Sequence, residues 1–124
     1  MSAWLARPWS FLLAALAAVA GVGTACAETL STPSYLVTIE RQCPEGEVTC
    51  DRVSYLGENR KTGARLALRG ETVHALCADG VTPCRFLGYR FKNGRTTYLL
   101  LEEGRLQVRR GGKLLLDEAG EWCY

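Results

Sequence analysis

Two pairs of cysteines in this chain share one spacing. Six residues separate Cys43 from Cys50, and six separate Cys77 from Cys84. Thiols in that pattern support two chemistries: a disulfide closing each short loop, or a zinc site built from four thiolates. Structural zinc sites favour two to four residues between paired cysteines, whereas six suits a bridge between the two strands leaving one turn. A leader for export, described below, favours oxidation. The spacing therefore predicts Cys43–Cys50 and Cys77–Cys84, each contributing about 2–3 kcal/mol in the chain-entropy treatment, with no metal and no cofactor. Cys26 and Cys123 remain. If a leader is cut after Ala27, Cys123 is left over; it is then free, bridges two copies into a dimer, or pairs with Cys26 where processing spares that residue.

Other reactive side chains do not assemble into a catalytic pattern. His74 is the sole histidine, and the nucleophiles it could serve are Cys123 or the serines Ser31, Ser34 and Ser54. None of these lies in a nucleophile elbow. The internal repeat described below sets His74 opposite Glu40, which predicts a solvated strand position. Glu102-Glu103 and Asp117-Glu118 fall at strand ends beside turns, where charged residues belong. Gly111-Gly112 lacks the following helix that a phosphate cradle requires. The expectation is a protein that is not an enzyme.

The elements that would position these residues belong to one small domain. The chain has 124 residues, 48% apolar and 23% charged, with a net charge of +2. That is too apolar for a disordered chain and too weakly basic for a dedicated nucleic-acid binder. Residues 1–27 read as a signal peptide: Arg7, then an apolar run from Phe11 to Val22, then Ala25-Cys26-Ala27 as the cleavage pattern. The run is too short to span a bilayer. Gly23-Thr24-Ala25-Cys26 also approximates a bacterial lipoprotein box, so lipid anchoring through Cys26 is the alternative. The domain proper is 28–124, placed in the periplasm or secreted. It carries eleven arginines against three lysines.

Sliding the chain on itself by 34 positions aligns residues 38–70 with 72–104 without a gap. Nine positions are identical, among them both cysteine pairs, Gly46/Gly80, Tyr55/Tyr89, Asn59/Asn93 and Leu66/Leu100. Chance would give about two, so the segment is an internal duplication. Each copy reads as strand, cysteine-closed turn, strand, polar turn, strand. Tyr35, Val37 and Ile39 share a face by period two, as do Val53 and Tyr55, Leu66 and Leu68, Val73 and Ala75, then Leu87, Tyr89 and Phe91. Two more strands run from Arg105 to Arg109 and from Lys113 to Asp117. Gly70, Asn93-Gly94, Gly104 and Gly111-Gly112 read as turns. The prediction is all-β, about eight antiparallel strands in sequence order, in a small up-and-down barrel or a sandwich. The duplication predicts a pseudo-twofold relation between the halves.

One strand breaks its own pattern. With Leu100 and Tyr98 facing inward, Leu99 and Leu101 face outward, where the first copy has Arg65 and Ala67. Large aliphatic residues are unusual on a wet face. Either the chain ends, including Trp122 and Tyr124, cover them, or they form an interface with Arg65, Arg69, Arg105 and Arg109 around it. Arginine suits such rims.

The leader, the domain size, the antiparallel all-β pattern and the C-terminal Cys123 together resemble the small periplasmic inhibitors of C-type lysozyme. The resemblance implies an eight-stranded barrel that plugs a lysozyme cleft with a loop. That family's Ser-Gly segment followed by Tyr has no counterpart here, Gly88-Tyr89 being the nearest approach, so no functional residue is carried over. The expected function is an exported, non-enzymatic bacterial binding protein, an inhibitor-type module acting on another protein rather than on nucleic acid. The alternative is an envelope-associated structural protein or lipoprotein anchored at Cys26.

Overall fold

The computed structural model describes residues 27–124. The expected leader up to Cys26, its lipoprotein box and Cys26 itself lie outside the described residues. The described chain is all-β, with nine strands in one antiparallel sheet: β1 (Thr29–Ser31), β2 (Tyr35–Arg41), β3 (Val53–Asn59), β4 (Arg65–Leu76), β5 (Pro83–Asn93), β6 (Thr96–Leu101), β7 (Arg105–Arg110), β8 (Lys113–Ala119) and β9 (Glu121–Cys123). Neighbours from β1 to β8 pair in sequence order, and β9 pairs with β1. Only Gly120 separates β8 from β9, so the final strand leaves β7, bends, and closes the sheet onto β1. The result is a nearly closed barrel, which leaves few free edges.

Alternation fills its interior. Leu30, Val37, Ile39, Val53, Tyr55, Tyr89, Phe91, Leu100, Leu106 and Val108 are buried together with Cys50. Tyr55, Phe91 and Tyr89 form an aromatic chain through this core, with ring centroids 5.0 and 6.4 Å apart. Apolar side chains on one face of every strand drive closure, because a curled sheet buries that face against itself.

The two copies follow the same strand–turn–strand–turn–strand path, and Tyr55 and Tyr89 are both buried. Their relation is not a twofold. β2 corresponds to β4 and β3 to β5, so one copy passes to the next by stepping two strands round the sheet with direction unchanged. Two further expectations are corrected. Gly70 is no turn: the strands ending there and starting at Thr72 are one continuous β4, whose lower part pairs with β3 and whose upper part pairs with β5. A Cβ on Gly70 would strike the Arg90 carbonyl and the Phe91 ring, so glycine serves close packing there. In β5 a register shift between Val73 and His74 leaves Leu87 unpaired, so Phe86 rather than Leu87 packs with Tyr89. The hairpin after Asn59 is also two residues longer than that after Asn93. Leu68, not Leu66, therefore opposes Tyr55 as Leu100 opposes Tyr89.

Candidate functional site

In an up-and-down sheet alternate connections fall at the same end. The connections 42–52, 77–82 and 102–104 share the upper end with the C-terminus; 32–34, 60–64, 94–95 and 111–112 share the lower end. Both predicted disulfides are present at the upper end. Cys43–Cys50 has its Cα atoms 5.8 Å apart and Cys77–Cys84 5.1 Å apart.

These two loops stand side by side. Gly46, Glu47, Val48 and Thr49 of the first and Thr82 and Pro83 of the second line a groove of about 480 Å³ between them. Gly46 and Gly80, equivalent in the duplication, both take positive φ, +94° and +74°. The first loop is fastened to β4: Cys50 N donates to Thr72 Oγ1 at 2.9 Å, and Thr72 N donates to the Cys50 carbonyl at 2.8 Å. The second is organised by Asp79, whose carboxylate accepts from Val81 N and Thr82 N at 2.9 Å and from the Thr82 hydroxyl. Against this polar framework Val48 is 64% exposed and Val81 78% exposed. Glu45, Glu47, Asp51 and Asp79 lie in the same two loops, with Arg52 at the end of the first and Arg85 just after the second, all exposed.

Those hydrogen bonds, the Thr82 side chain first, hold Asp79 down at about 2 from its ordinary 3.8. A depressed carboxylate favours the ordered loop above its unfolded value and loses that effect as pH falls through the folded one. The carboxyl carbon of Asp79 should therefore titrate near pH 2 by NMR, with the Val81 and Thr82 amides shifting alongside. A midpoint near 3.8 would show that the turn does not persist in solution.

Below the loops the barrel is plugged. Tyr89 donates from its hydroxyl to Glu28 Oε2 at 2.6 Å and accepts from Arg41 Nε at 3.1 Å. Burial, then the Glu28 contact, pushes this phenol well above its ordinary range, so it stays protonated. The Arg41 guanidinium lies 5.0 Å from the Phe86 ring centre. Trp122 packs edge-on to Tyr89 and donates from Nε1 to the Leu101 carbonyl at 3.0 Å. Trp122 thus points into the barrel and does not cover the outward face of β6. Tyr124 stacks on it, 5.9 Å away.

The residues expected to form one interface are divided between two places. Leu99 and Leu101 are half-buried on the outer face of β6, with Arg90 and Gln107 beside Leu99, and Gly88 and Arg105 beside Leu101. Arg105 is bound to Asp117 at 2.6 Å and Arg90 to Glu71 at 2.6 Å. Arg109 lies in the same strand as Arg105, opposite Thr97. Arg65 and Arg69 belong elsewhere, flanking Ala67 and the exposed Leu56 on β3–β4, with Arg65 paired to Glu58 at 3.6 Å. His74 is not the solvated residue expected from its place opposite Glu40: it is half-buried, edge-on to Phe86 at 5.5 Å. Cys123 is disulfide-bonded, and Cys26 lies outside the described residues. Among the described residues no three His, Cys, Asp or Glu side chains converge as metal ligands, and no helix is long and apolar enough to cross a membrane. The two disulfides are compatible with an oxidising, exported location.

The loop pair was missed in the sequence because no residue type in it announces chemistry. The signal available was its duplication: two bridged turns that an up-and-down order puts at one end. Comparison with protein-family models, with curated proteins and with solved structures gives no match to this chain.

Proposed function

We propose that this chain is an exported, non-enzymatic binding protein that engages another protein through its paired disulfide loops. The observation that carries this reading is the pairing itself: two bridged loops flank one groove and each presents an exposed valine. Disulfides and the fastening to Thr72 order the loops before binding, which removes part of the entropic cost of association. Two valines entering a cleft supply about 3–6 kcal/mol of gross hydrophobic gain. The carboxylates round them favour a partner whose cleft has a basic rim. This agrees with the loop-plugging mode implied by the resemblance to inhibitors of C-type lysozyme. His74 rests on Phe86 instead of beside a nucleophile, which favours binding over catalysis.

C-type lysozyme is the first probe, in a cell-wall lysis assay, followed by capture from envelope and host fluids with identification of the bound protein. Val48→Asp with Val81→Asp should abolish inhibition or capture at unchanged melting temperature. Leu99→Ser with Leu101→Ser should leave it intact. Loss confined to the second variant moves the interface to the outer face of β6, and loss in neither overturns the loop reading.

A further inference from the structure

The lower end carries the opposite charge to the loops. Arg60, Lys61, Lys92, Arg95, Arg109, Arg110 and Lys113 sit in or beside its turns, all seven exposed. They are half of the fourteen basic residues from position 27 onward, while none of the thirteen acidic residues of that span lies in these turns. None of the seven forms a salt bridge among the described residues. Of the carboxylates nearby, Glu58 is paired with Arg65 at 3.6 Å, Glu71 with Arg90 at 2.6 Å and Asp117 with Arg105 at 2.6 Å. Glu118 accepts from the Ser34 hydroxyl at 2.6 Å, and exposed Asp51 shares a pocket with Lys92. Arg60 is fixed by its own hydrogen bond to the Thr32 carbonyl at 2.9 Å, and Gly111 N reaches the Arg95 carbonyl at 3.2 Å. Turns 32–34 and 60–64 are thus tied together, as are 94–95 and 111–112, and the two pairs make up the lower rim.

Beside that rim β8 exposes two leucines, Leu114 at 42% and Leu115 at 53%. Val108 pairs with Leu116 and Arg109 with Leu114, so Leu115 is bulged out of the ladder two residues after Lys113.

We infer that the lower rim docks the protein on an anionic phospholipid surface, with the cations at the phosphates and Leu114 and Leu115 at the acyl boundary. A ring of Lys and Arg next to a few apolar side chains is the combination that holds a protein at such an interface. Single-stranded nucleic acid fits less well, because stacking needs exposed aromatic rings. Among the described residues the only large aromatic side chain that is exposed is Tyr124, at the opposite end. The acidic loop end is repelled by the same surface, so docking turns the disulfide loops outward toward a partner.

The test is co-sedimentation of the full purified chain with vesicles of phosphatidylethanolamine and phosphatidylglycerol, against vesicles of phosphatidylcholine alone. The native chain should prefer the anionic vesicles strongly. Each rim charge is worth about fivefold in partition, so Arg109→Glu, Arg110→Glu and Lys113→Glu together should weaken binding by more than about a hundredfold, the loss of three cations alone accounting for that much. Leu114→Ser with Leu115→Ser should remove the binding that survives high salt. The ratio between the two vesicle types reads the rim alone, since an acyl chain on Cys26 would bind both alike. Equal binding to the two vesicles, unchanged binding after charge reversal, or tighter binding to a single-stranded oligonucleotide would each overturn the assignment.

Discussion

A Gly120→Val chain should lose the closed barrel and melt far below the native protein. Gly120 is the bend at which the last strand leaves β7 and turns to β1, and its N–H donates to the Gly104 carbonyl at 2.9 Å. A Cβ there would run into the Ser31 carbonyl oxygen and Thr32 Cγ2. Backbone cannot yield as a flexible side chain does, so the strand must separate from β1 or distort. Overpacking typically costs about 1–3 kcal/mol, and losing the β1–β9 ladder adds to it. For a domain of this size about 3 kcal/mol lowers the melting temperature by roughly 15 °C. Exposed Ala119, one residue earlier, is the control: Ala119→Val should melt within about 2 °C of native. If Gly120→Val melts with native, the sheet does not close through this residue.

The duplicated tyrosines should answer differently to the same substitution. Tyr89 is buried among Phe86, Phe91 and Trp122, and its hydroxyl joins Glu28 to Arg41. Tyr89→Ala should cost about 3–5 kcal/mol through lost contacts and the cavity left behind. Tyr89→Phe should cost about 1–3 kcal/mol, because it strips a partner from two charged groups. Tyr55 is as deeply buried, yet its hydroxyl lies over Gly57 beside a cavity of about 180 Å³ lined also by Tyr35 and Tyr98. Among the described residues no protein group bonds it. Burial, then the neighbouring Tyr98 and Tyr35 phenols, pushes this phenol above its ordinary range. Tyr55→Phe should therefore change stability by less than about 0.5 kcal/mol. Urea melts of the three variants decide this, and a Tyr55→Phe loss equal to that of Tyr89→Phe would refute the contrast.

Local pattern made much of this fold legible. Period-two alternation identified the inward residues of β2 and β3, and the repeated cysteine spacing gave both bridges. What escaped depends on distant neighbours. Gly70 has the composition of a turn, and only the Arg90 carbonyl and the Phe91 ring beside it show why a strand passes through. β1 and β9 are three residues each, too short to alternate visibly, and are set by pairing, β1 between β2 and β9 and β9 on β1. The charged ends were hidden for a similar reason. Net charge averages an acidic end against a basic one, and the separation appears only when alternate turns are grouped. The Leu99–Leu101 anomaly was real in sequence, but its arginines could not be assigned to strands without the register.

Because each copy of the duplicated segment adds one ascending and one descending strand, gaining or losing a copy leaves the direction of every later strand as it was. A chain one copy shorter would still bring its last strand antiparallel to β1, as β9 is now, and a chain one copy longer would do so round a wider interior. A unit adding a single strand would deliver that last strand parallel to β1 and forfeit the present ladder. Growth of this lineage by whole repeats is thus neutral to topology and is felt as girth, which the inward side chains must then refill.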